Sequence, residues 1–393
     1  VYFLIKIFEY KKTKDELLNL FLGLVCLASI VISFFVFFVY SSSTVSSALY
    51  VSSSAYNQQW QYAMNWVSNN TPENSIFVHW WDYGYWVQTL GKRPTVTDGG
   101  HYRDWWDHTT GRYLLTTSQP ETALSLMKTH NVSYLLIDST DLGKYGAYSS
   151  IGSGKDGSDR LAEIPTMISD SSQTQISNGT KILVYQGTTF VDQDIVYQNN
   201  NTKIFLPRGK SYLIGVVLKV VESNSTIQFT EAPSAIFYYN GKQIALPIKY
   251  IYFNNQLVNF GEGIESIVQI IPGVSVSNNN VQLDNLGAVI YLSEKVSKSL
   301  FAQLYLMNDP LKSYSTLKLV HSEDDFVVKS LKEQGVQLGD FVYYQGLRGP
   351  IKIWEVSYPE NVITHQEFID VPENWNQGDN DSWGLLDDFN FTQ

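Results

Sequence analysis

The sequence predicts an α+β protein in which one transmembrane helix precedes a mixed α/β core domain that carries an inserted all-β domain. Three observations lead to this prediction. Residues 17–40 form an uncharged apolar run, helix-like and strand-like patterns alternate to about residue 170, and strand-length apolar runs follow from about residue 180, which predicts an all-β module at about 190–292. Helical patterns then return, so we expect a discontinuous core domain made of residues 45–189 and 293–362.

Length and composition narrow the possible classes of protein. With 393 residues, of which 44% are hydrophobic and 14% aromatic, the chain can form sizeable cores. Its net charge of -11 argues against nucleic acid as a partner, because binding to a phosphate backbone requires clustered Lys and Arg. The single cysteine, Cys26, lies inside the apolar run, so neither a disulfide framework nor a Cys-based metal site is expected.

The apolar run at residues 17–40 is long enough to cross roughly 30 Å of hydrocarbon as a helix. Positive charge is concentrated before it, at Lys6, Lys11, Lys12 and Lys14. This asymmetry predicts a cell-membrane protein whose residues 1–16 are a cytoplasmic flank or the end of a preceding membrane segment, and whose remainder is extracytoplasmic. The alternative, a cleaved signal peptide, is disfavoured by the length of the run. Because the chain opens with Val1 inside another apolar stretch, we expect further sequence upstream.

The first part of the core domain is expected to alternate helices and strands. After a Ser-rich linker at 41–54, Trp60, Met64 and Val67 recur at helical spacing. Short apolar runs at 75–79 and 93–97 predict two strands with a helix between them. Pro120 begins a further helix, with Glu121 in its first turn and Lys128 in its last, and the buried strand VSYLLID follows it.

The inserted module is expected to consist of strands and hairpins. Asn240-Gly241, between two strand-length runs, predicts a tight turn because both of its central residues favour positive φ. Helices are expected at 293–307 and 324–334, and strands at 341–346 and 351–356. The remaining residues, 363–393, are acidic, polar and rich in turn formers, which predicts a loose tail.

The densest group of chemically distinctive residues is His79-Trp80-Trp81-Asp82-Tyr83-Gly84-Tyr85-Trp86, where a predicted strand gives way to a helix. The indole N–H groups of Trp80 and Trp81 are donors only, and the Asp82 carboxylate is an acceptor, so together they could hold one hydroxyl group. Two alternatives remain open from the residues alone. The Trp residues could belong to the core with Asp82 as a helix cap, or the rings could form a carbohydrate platform.

The string Trp80-Trp81-Asp82-Tyr83-Gly84 resembles the WWDYG motif of oligosaccharyltransferase catalytic subunits, and Gly91-Lys92-Arg93-Pro94 and Thr97-Asp98 follow at similar spacing. The resemblance is to the C-terminal half of the archaeal type. It implies a glycosyltransferase that moves a lipid-linked oligosaccharide onto Asn in Asn-x-Ser/Thr. It also implies that Trp80, Trp81 and Asp82 bind the Ser or Thr hydroxyl at position +2 of that sequon.

The family has a second motif of the form DxxK, with an apolar residue four positions after the Lys. The best match is Asp141-Leu142-Gly143-Lys144, with Tyr148 in place of the family's Met or Ile. We therefore expect Asp141, Lys144 and Tyr148 to belong to the same substrate-binding site. One alternative is that Asp141 and Lys144 are a solvated pair in a loop; another is to place the motif at Asp156 or Asp159 with Met167, which lacks the Lys.

A second WWD tripeptide occurs at Trp105-Trp106-Asp107, preceded by Asp104 and without the following Tyr-Gly. It falls in a predicted helix that opens at Tyr102, where large rings at helical spacing are more often core than ligand-binding residues. We therefore expect this tripeptide to be structural.

The resemblance also implies what this chain lacks. The family's catalytic acids and its divalent cation, Mg or Mn, belong mainly to loops of an N-terminal half, so no catalytic residue and no metal ligand is expected in this sequence. The six histidines lack zinc-type spacing. The implied partners are a sequon-bearing peptide or protein, a lipid-linked oligosaccharide and the membrane. The competing functions are a surface-anchored carbohydrate-binding protein and a structural protein of the cell envelope.

Overall fold

The computed structural model describes residue 6 and residues 16–54, 56–101, 105–154, 157–177, 179–199, 202–223, 226–277 and 280–372. The chain forms two compact units, divided between Gln61 and Tyr62.

The first unit is dominated by one long helix, α1, at Glu16–Ser54. Its segment Glu16–Ala48 contains an 18-residue stretch with a mean hydropathy of 2.8 and is long and apolar enough to cross a membrane. The Ser-rich segment predicted as a linker is instead the continuation of this helix. Within this helical segment the Thr44 hydroxyl donates a hydrogen bond to the carbonyl of Tyr40, one turn earlier, at 2.8 Å.

The remaining helices are short, and two of them are accompanied by π-helical turns. The helices are α2 Gln58–Asn70, α3 Gly84–Thr89, α4 Trp105–Thr109, α5 Pro120–Thr129, α6 Asp141–Ile151, α7 Glu294–Ser297 and α8 Phe326–Glu333. The π-helical turns are Thr110–Leu115, which continues α4, and Phe301–Leu306, which follows α7. The helix predicted at 293–307 is therefore divided into two pieces.

The strands, numbered in chain order, are β1 Ile76–Val78, β2 Val132–Ile137, β3 Thr166–Ser169, β4 Gln175–Ser177, β5 Thr180–Phe190, β6 Ile195–Asn199, β7 Thr202–Leu206, β8 Tyr212–Ser223, β9 Thr226–Phe229, β10 Ser234–Tyr239, β11 Lys242–Phe253, β12 Gln256–Asn259, β13 Ile264–Ser277, β14 Asn280–Leu292, β15 Leu317–Glu323, β16 Val342–Tyr343, β17 Leu347–Arg348 and β18 Ile351–Val356.

The core domain is built on a four-stranded sheet in the order β1-β2-β18-β15. Strands β1 and β2 are parallel, and β18 lies antiparallel to both β2 and β15. Two of these strands precede the β-rich segment in the sequence and two follow it, which agrees with the predicted α+β architecture. Helix α2 packs beside this sheet, where the Trp66 and His321 rings stack with centroids 4.5 Å apart.

A second sheet has twelve strands and extends beyond residues 190–292 on both sides, because it includes β3, β4 and β5, which begin before them, and β16 and β17 after them. Its main path runs β12-β11-β10-β8-β5-β3-β14-β13-β16-β17, and β11 also pairs with β13, so the sheet closes on itself. Its interior is filled by buried apolar side chains such as Tyr185, Leu218, Phe237 and Val268. The predicted turn at Asn240-Gly241 is present, with φ values of 48° and 75° and strands β10 and β11 paired on either side.

Three further expected elements differ in the structure. Residues 93–97 are not a strand, and only Thr95 forms an isolated bridge to Phe77. Of the strand expected at 341–346, only Val342–Tyr343 is extended and paired. The start of the predicted loose tail is held in place: Phe368 is 1% exposed, and the Ser125 hydroxyl donates to the Ile363 carbonyl at 2.6 Å. Residues 373–393 lie outside the described part of the chain.

Candidate functional site

The WWDYG segment lies at the carboxyl end of β1. The strand ends at Val78, a single helical turn covers Trp81–Tyr83, and α3 begins at Gly84. The DxxK segment lies at the carboxyl end of β2, where Asp141 opens α6. Because β1 and β2 are parallel neighbours, their carboxyl ends share one edge of the sheet, and the two motifs meet there.

Gly84 is required at its position by close packing. A Cβ atom built on Gly84 would lie 2.4 Å from the Cα and Cβ atoms of Asp98 and 2.6 Å from the carbonyl oxygen of Thr97. The N-terminus of α3 can therefore approach the Thr97-Asp98 segment only because residue 84 has no side chain. The Thr97 hydroxyl in turn donates to the His79 carbonyl at 3.0 Å, which fixes the end of β1 to the same segment.

The central contact of the site joins Asp82 to Lys144. Lys144 Nζ lies 3.2 Å from Asp82 Oδ2, and both side chains are about one-third exposed, at 29% and 30%. Lys144 Nζ also donates to the Tyr83 hydroxyl at 3.0 Å and lies 4.3 Å from the centre of the Tyr83 ring. Lys144 is thus in contact with two consecutive residues of the WWDYG motif, and it lies on a helix rather than in a loop.

Beneath this surface pair lies a buried network around Tyr83. Its hydroxyl donates to Asp141 Oδ1 at 2.7 Å and lies 2.9 Å from the Thr140 hydroxyl. The other oxygen of Asp141, Oδ2, accepts a hydrogen bond from the Asp138 backbone N–H at 3.0 Å. Both oxygens of the Asp141 carboxylate therefore have donors, which is the condition for tolerating a polar group that is 1% exposed.

Burial dominates the electrostatics of this network. It raises the pKa of Asp141 to about 7, although the nearby Lys144 ammonium acts in the opposite direction. Burial, together with the negative charge of Asp141, also raises the pKa of Tyr83 well above its usual value. Tyr83 therefore remains a neutral phenol that donates and accepts hydrogen bonds, while Asp141 titrates close to neutral pH.

The aromatic side of the site contains Trp80 and Tyr148. Their ring centroids are 5.4 Å apart, and both side chains are buried, at 2% and 0% exposed. Tyr148 occupies the place where the family pattern has Met or Ile, and it packs against Trp80 as part of an aromatic cluster with Tyr145 and Phe301. Trp81 and Asp82 are only partly buried. Of the six residues predicted for the site, these two and Lys144 are the ones with exposed side-chain surface.

All six residues predicted for the site are thus brought together: Trp80, Trp81, Asp82, Asp141, Lys144 and Tyr148. Tyr83 and Thr140 join them without having been singled out from the sequence. Tyr83 follows Asp82 directly, and the pairing of SIFV with VSYLLI as parallel strands is the feature that would have placed it beside Asp141. The roles of these residues in binding remain a prediction.

The second WWD tripeptide and the alternative DxxK placement lie away from the Asp82–Lys144 pair and contact other parts of the protein. Trp105 is 2% exposed and donates to the Glu367 carbonyl, while Trp106 donates to the Ile369 carbonyl, each at 3.1 Å. The second WWD tripeptide therefore holds the segment after residue 363 against α4. Asp159 pairs with Arg112 at 2.7 Å, and Met167 is buried in the large sheet. Asp104 and Asp156 lie outside the described residues.

The segment Gly91-Lys92-Arg93-Pro94, which also belongs to the resemblance, has a structural function. The Arg93 guanidinium, 4% exposed, donates to the Ser68 carbonyl at 3.1 Å and to both the carbonyl and the hydroxyl of Thr71, at 2.5 and 2.9 Å. These acceptors lie in and just after the last turn of α2, whose carbonyl groups have no partner within the helix. Arg93 therefore caps α2 and ties it to the segment that follows α3.

The described residues offer no group of three or more His, Cys, Asp or Glu side chains that could hold a metal ion. The divalent cation implied by the resemblance therefore does not fit the donor sets in this part of the chain, and no chemical step is assigned to a metal here.

Comparison with known proteins gives several similarities, among them the following three. Dolichyl-phosphooligosaccharide-protein glycotransferase 1 of Pyrococcus furiosus is 36% identical over 95 residues, which cover 24% of this chain and 10% of the relative. Glycotransferase 2 of Pyrococcus horikoshii is 22% identical over 273 residues, 69% of this chain and 28% of the relative. A crystal structure of the Archaeoglobus fulgidus oligosaccharyltransferase, tethered with an acceptor peptide containing the NVT sequon, is 13% identical, with a TM-score of 0.42; the match covers 90% of this chain and 39% of that one. No protein-family model matches.

The chain is thus a homologue of glycosyltransferases that transfer oligosaccharide to protein. More particularly, it resembles oligosaccharyltransferases of the archaeal type, and the partial match fits their C-terminal half. The matched segments span only 10% and 28% of the length of those two relatives.

Proposed function

We propose that this chain is the acceptor-recognition part of a membrane oligosaccharyltransferase, the part that binds the Asn-x-Ser/Thr sequon. The observation that carries the proposal is the contact of Asp82 with Lys144 at 3.2 Å, on a partly exposed surface beside Trp81. A carboxylate and an ammonium group therefore lie together, with Trp81 next to Asp82 in the sequence, and this pairing suits a ligand that both donates and accepts hydrogen bonds.

A Ser or Thr hydroxyl is such a ligand. Its O–H can donate to the Asp82 carboxylate, while its oxygen accepts a hydrogen bond from Trp81 or Lys144. A Val side chain at the same position offers neither, so binding it would leave Asp82 and Lys144 desolvated without a replacement partner. A site constructed around a hydroxyl rejects analogues that lack it by this mismatch, which accounts for selectivity of Asn-x-Ser/Thr over Asn-x-Val.

The reaction is proposed for the whole protein of which this chain forms part. The two Pyrococcus relatives are named for transfer from dolichyl-phosphooligosaccharide to protein, so the second substrate proposed here is a polyprenyl-linked oligosaccharide. A divalent cation, Mg or Mn, and the catalytic acids would be supplied mainly by residues outside this chain. Within this chain, we assign residues only to binding and positioning of the acceptor.

The proposal includes an arrangement at the membrane. Helix α1 has the length and hydropathy of a spanning helix, and the lysines cluster on its N-terminal side. We propose that the second unit is extracytoplasmic, where acceptor proteins and the lipid-linked glycan meet. Labelling of a cysteine introduced at the exposed residue Lys92 by a membrane-impermeant reagent in intact cells tests this orientation, with protection from labelling as the contradicting result.

The function itself is tested by glycan transfer from membrane lipid-linked oligosaccharide to an Asn-x-Thr peptide and to its Asn-x-Val analogue. The assay compares this chain with the full-length natural protein that contains it. Transfer by the full-length protein, restricted to the Thr peptide, is expected. Absence of transfer by the full-length protein would favour a carbohydrate-binding or envelope function instead.

A further inference from the structure

Tyr83 has hydrogen-bond partners on both sides of the site. Its hydroxyl donates to the buried Asp141 carboxylate at 2.7 Å and accepts from Lys144 Nζ at 3.0 Å. The Thr140 hydroxyl, at 2.9 Å, occupies the remaining position around the same oxygen. A phenol hydroxyl has one proton and two lone pairs, so this oxygen is fully used by three partners from a single neighbouring segment.

We propose that Tyr83 is the positioning residue of the acceptor site. Its hydroxyl holds the Lys144 ammonium against Asp82. This contact fixes the position of the Asp82 carboxylate, which accepts the hydrogen bond from the substrate hydroxyl. The inference rests on the proposed function. Tyr83 is 2% exposed and lies beneath Asp82 and Lys144, so it acts through them and does not itself contact the peptide.

The physical reason is that the Asp82–Lys144 pair is too exposed to define its own geometry. With about 30% of each side chain open to solvent, water screens the attraction, and the four-carbon Lys side chain loses conformational freedom when it is ordered. Tyr83 supplies what the exposed pair lacks. Its hydroxyl is a buried partner for the ammonium group, its ring lies 4.3 Å from Nζ, and the oxygen is itself held by Asp141.

The substitution Tyr83→Phe separates these contributions, because it keeps the ring under Lys144 and removes only the hydroxyl. Without that oxygen, Lys144 retains only its partly exposed contact with Asp82, and the buried Asp141 loses one of its donors. The matched control is Tyr314→Phe. Tyr314 is also 2% exposed, its hydroxyl has no hydrogen-bond partner among the described residues, and it lies outside both motifs.

The test measures steady-state transfer to an Asn-x-Thr peptide by the full-length natural protein and its variants. Tyr83→Phe is expected to raise KM for the peptide about tenfold and to change kcat less than about twofold, because one charge-assisted hydrogen bond in the binding site is lost. Tyr314→Phe is expected to change neither. Lys144→Met is expected to raise KM by a similar factor, and the double variant by no more than Lys144→Met alone, since the two residues act as one unit.

Three results would overturn the positioning role. They are an unchanged KM in Tyr83→Phe, an unchanged KM in Lys144→Met, and a multiplicative increase in the double variant. The second applies even if Tyr83→Phe does not fold. If the wild-type protein prefers Asn-x-Thr over Asn-x-Val but Tyr83→Phe has a normal KM, the positioning role of Tyr83 is wrong and the proposed function is still supported. If the wild-type protein transfers equally to both peptides, the proposed function itself is contradicted.

Discussion

Lys144 Nζ lies 3.2 Å from Asp82 Oδ2, and this contact joins two sequence motifs that occupy the ends of adjacent parallel strands. The pair is open to solvent on one side and rests on the buried Tyr83–Asp141 hydrogen bond on the other. A surface suited to a small hydroxyl-bearing ligand is thereby supported by a rigid interior, which is the arrangement that a selective binding site requires.

The close approach at Gly84 predicts a folding defect. Gly84→Ala places a Cβ 2.4 Å from Asp98 Cα, so either α3 or the Thr97-Asp98 segment must shift. We expect a loss of about 2 kcal/mol in the free energy of unfolding, the usual cost of an overpacked site. Urea denaturation of wild type and variant measures this loss.

The matched control for that experiment is Gly143→Ala on the exposed face of α6. Nothing lies within 4 Å of a Cβ at Gly143, and the residue is helical. The variant is expected to gain about 0.5 kcal/mol through the higher helix propensity of Ala. Equal effects of the two substitutions would contradict the packing argument.

Arg93 is predicted to contribute to stability and not to chemistry. Arg93→Ala removes a guanidinium group that bonds to the Ser68 and Thr71 carbonyls, and the acceptors of the buried Thr71 lose this donor. We expect the free energy of unfolding to fall by about 3 kcal/mol. Lys92→Ala, an exchange at the neighbouring exposed position, is expected to change it by less than about 0.5 kcal/mol. A stable Arg93→Ala protein would show that α2 does not depend on this cap.

Asp141 predicts a specific pH dependence of stability. Burial raises its folded-state pKa from 3.8 to about 7, so between these values the folded protein binds more protons at this residue than the unfolded chain does. Its contribution to stability is therefore complete below about pH 4 and is lost as the pH rises through about 7.

The corresponding measurement is the difference in unfolding free energy between wild type and Asp141→Asn at several pH values from 5 to 8. The difference cancels the contributions of other titrating groups, such as His79 and His108, whose pKa values are lowered to about 4 by burial. Asp141→Asn is expected to gain stability relative to wild type as the pH rises. A difference that is independent of pH would mean that Asp141 does not titrate in this range.

Local sequence patterns predicted much of the fold because the decisive interactions are local. Asn240-Gly241 has the positive φ angles of its turn, Pro120 opens α5, and Glu121 and Lys128 lie in its first and last turns as the helix dipole favours. The two motifs were expected to share one site by resemblance. The physical reason that they meet, the parallel pairing of β1 with β2, is a long-range contact that no local pattern reveals.

Two of the expectations that differ from the structure depend on tertiary contacts. Residues 93–97 have the composition of a strand, but buried Arg93 and the approach of α3 to Thr97 leave only a bridge at Thr95. The polar segment after residue 363 resembles a loose tail, yet Trp105 and Trp106 donate hydrogen bonds to its backbone. In both segments, partners distant in the sequence determine the conformation, so composition alone was misleading.

The most direct test of the proposed acceptor site is the ratio of transfer to an Asn-x-Thr peptide over an Asn-x-Val peptide, measured for the full-length natural protein with Asp82→Ala and with Asp107→Asn. Asp107 belongs to the second WWD tripeptide and is 0% exposed. Asp82→Ala is expected to lower transfer to the Thr peptide about 100-fold and to abolish the preference over Val, whereas Asp107→Asn keeps the preference. An Asp82→Ala protein that still prefers Thr, or equal losses in both variants, would contradict the assignment of hydroxyl recognition to Asp82.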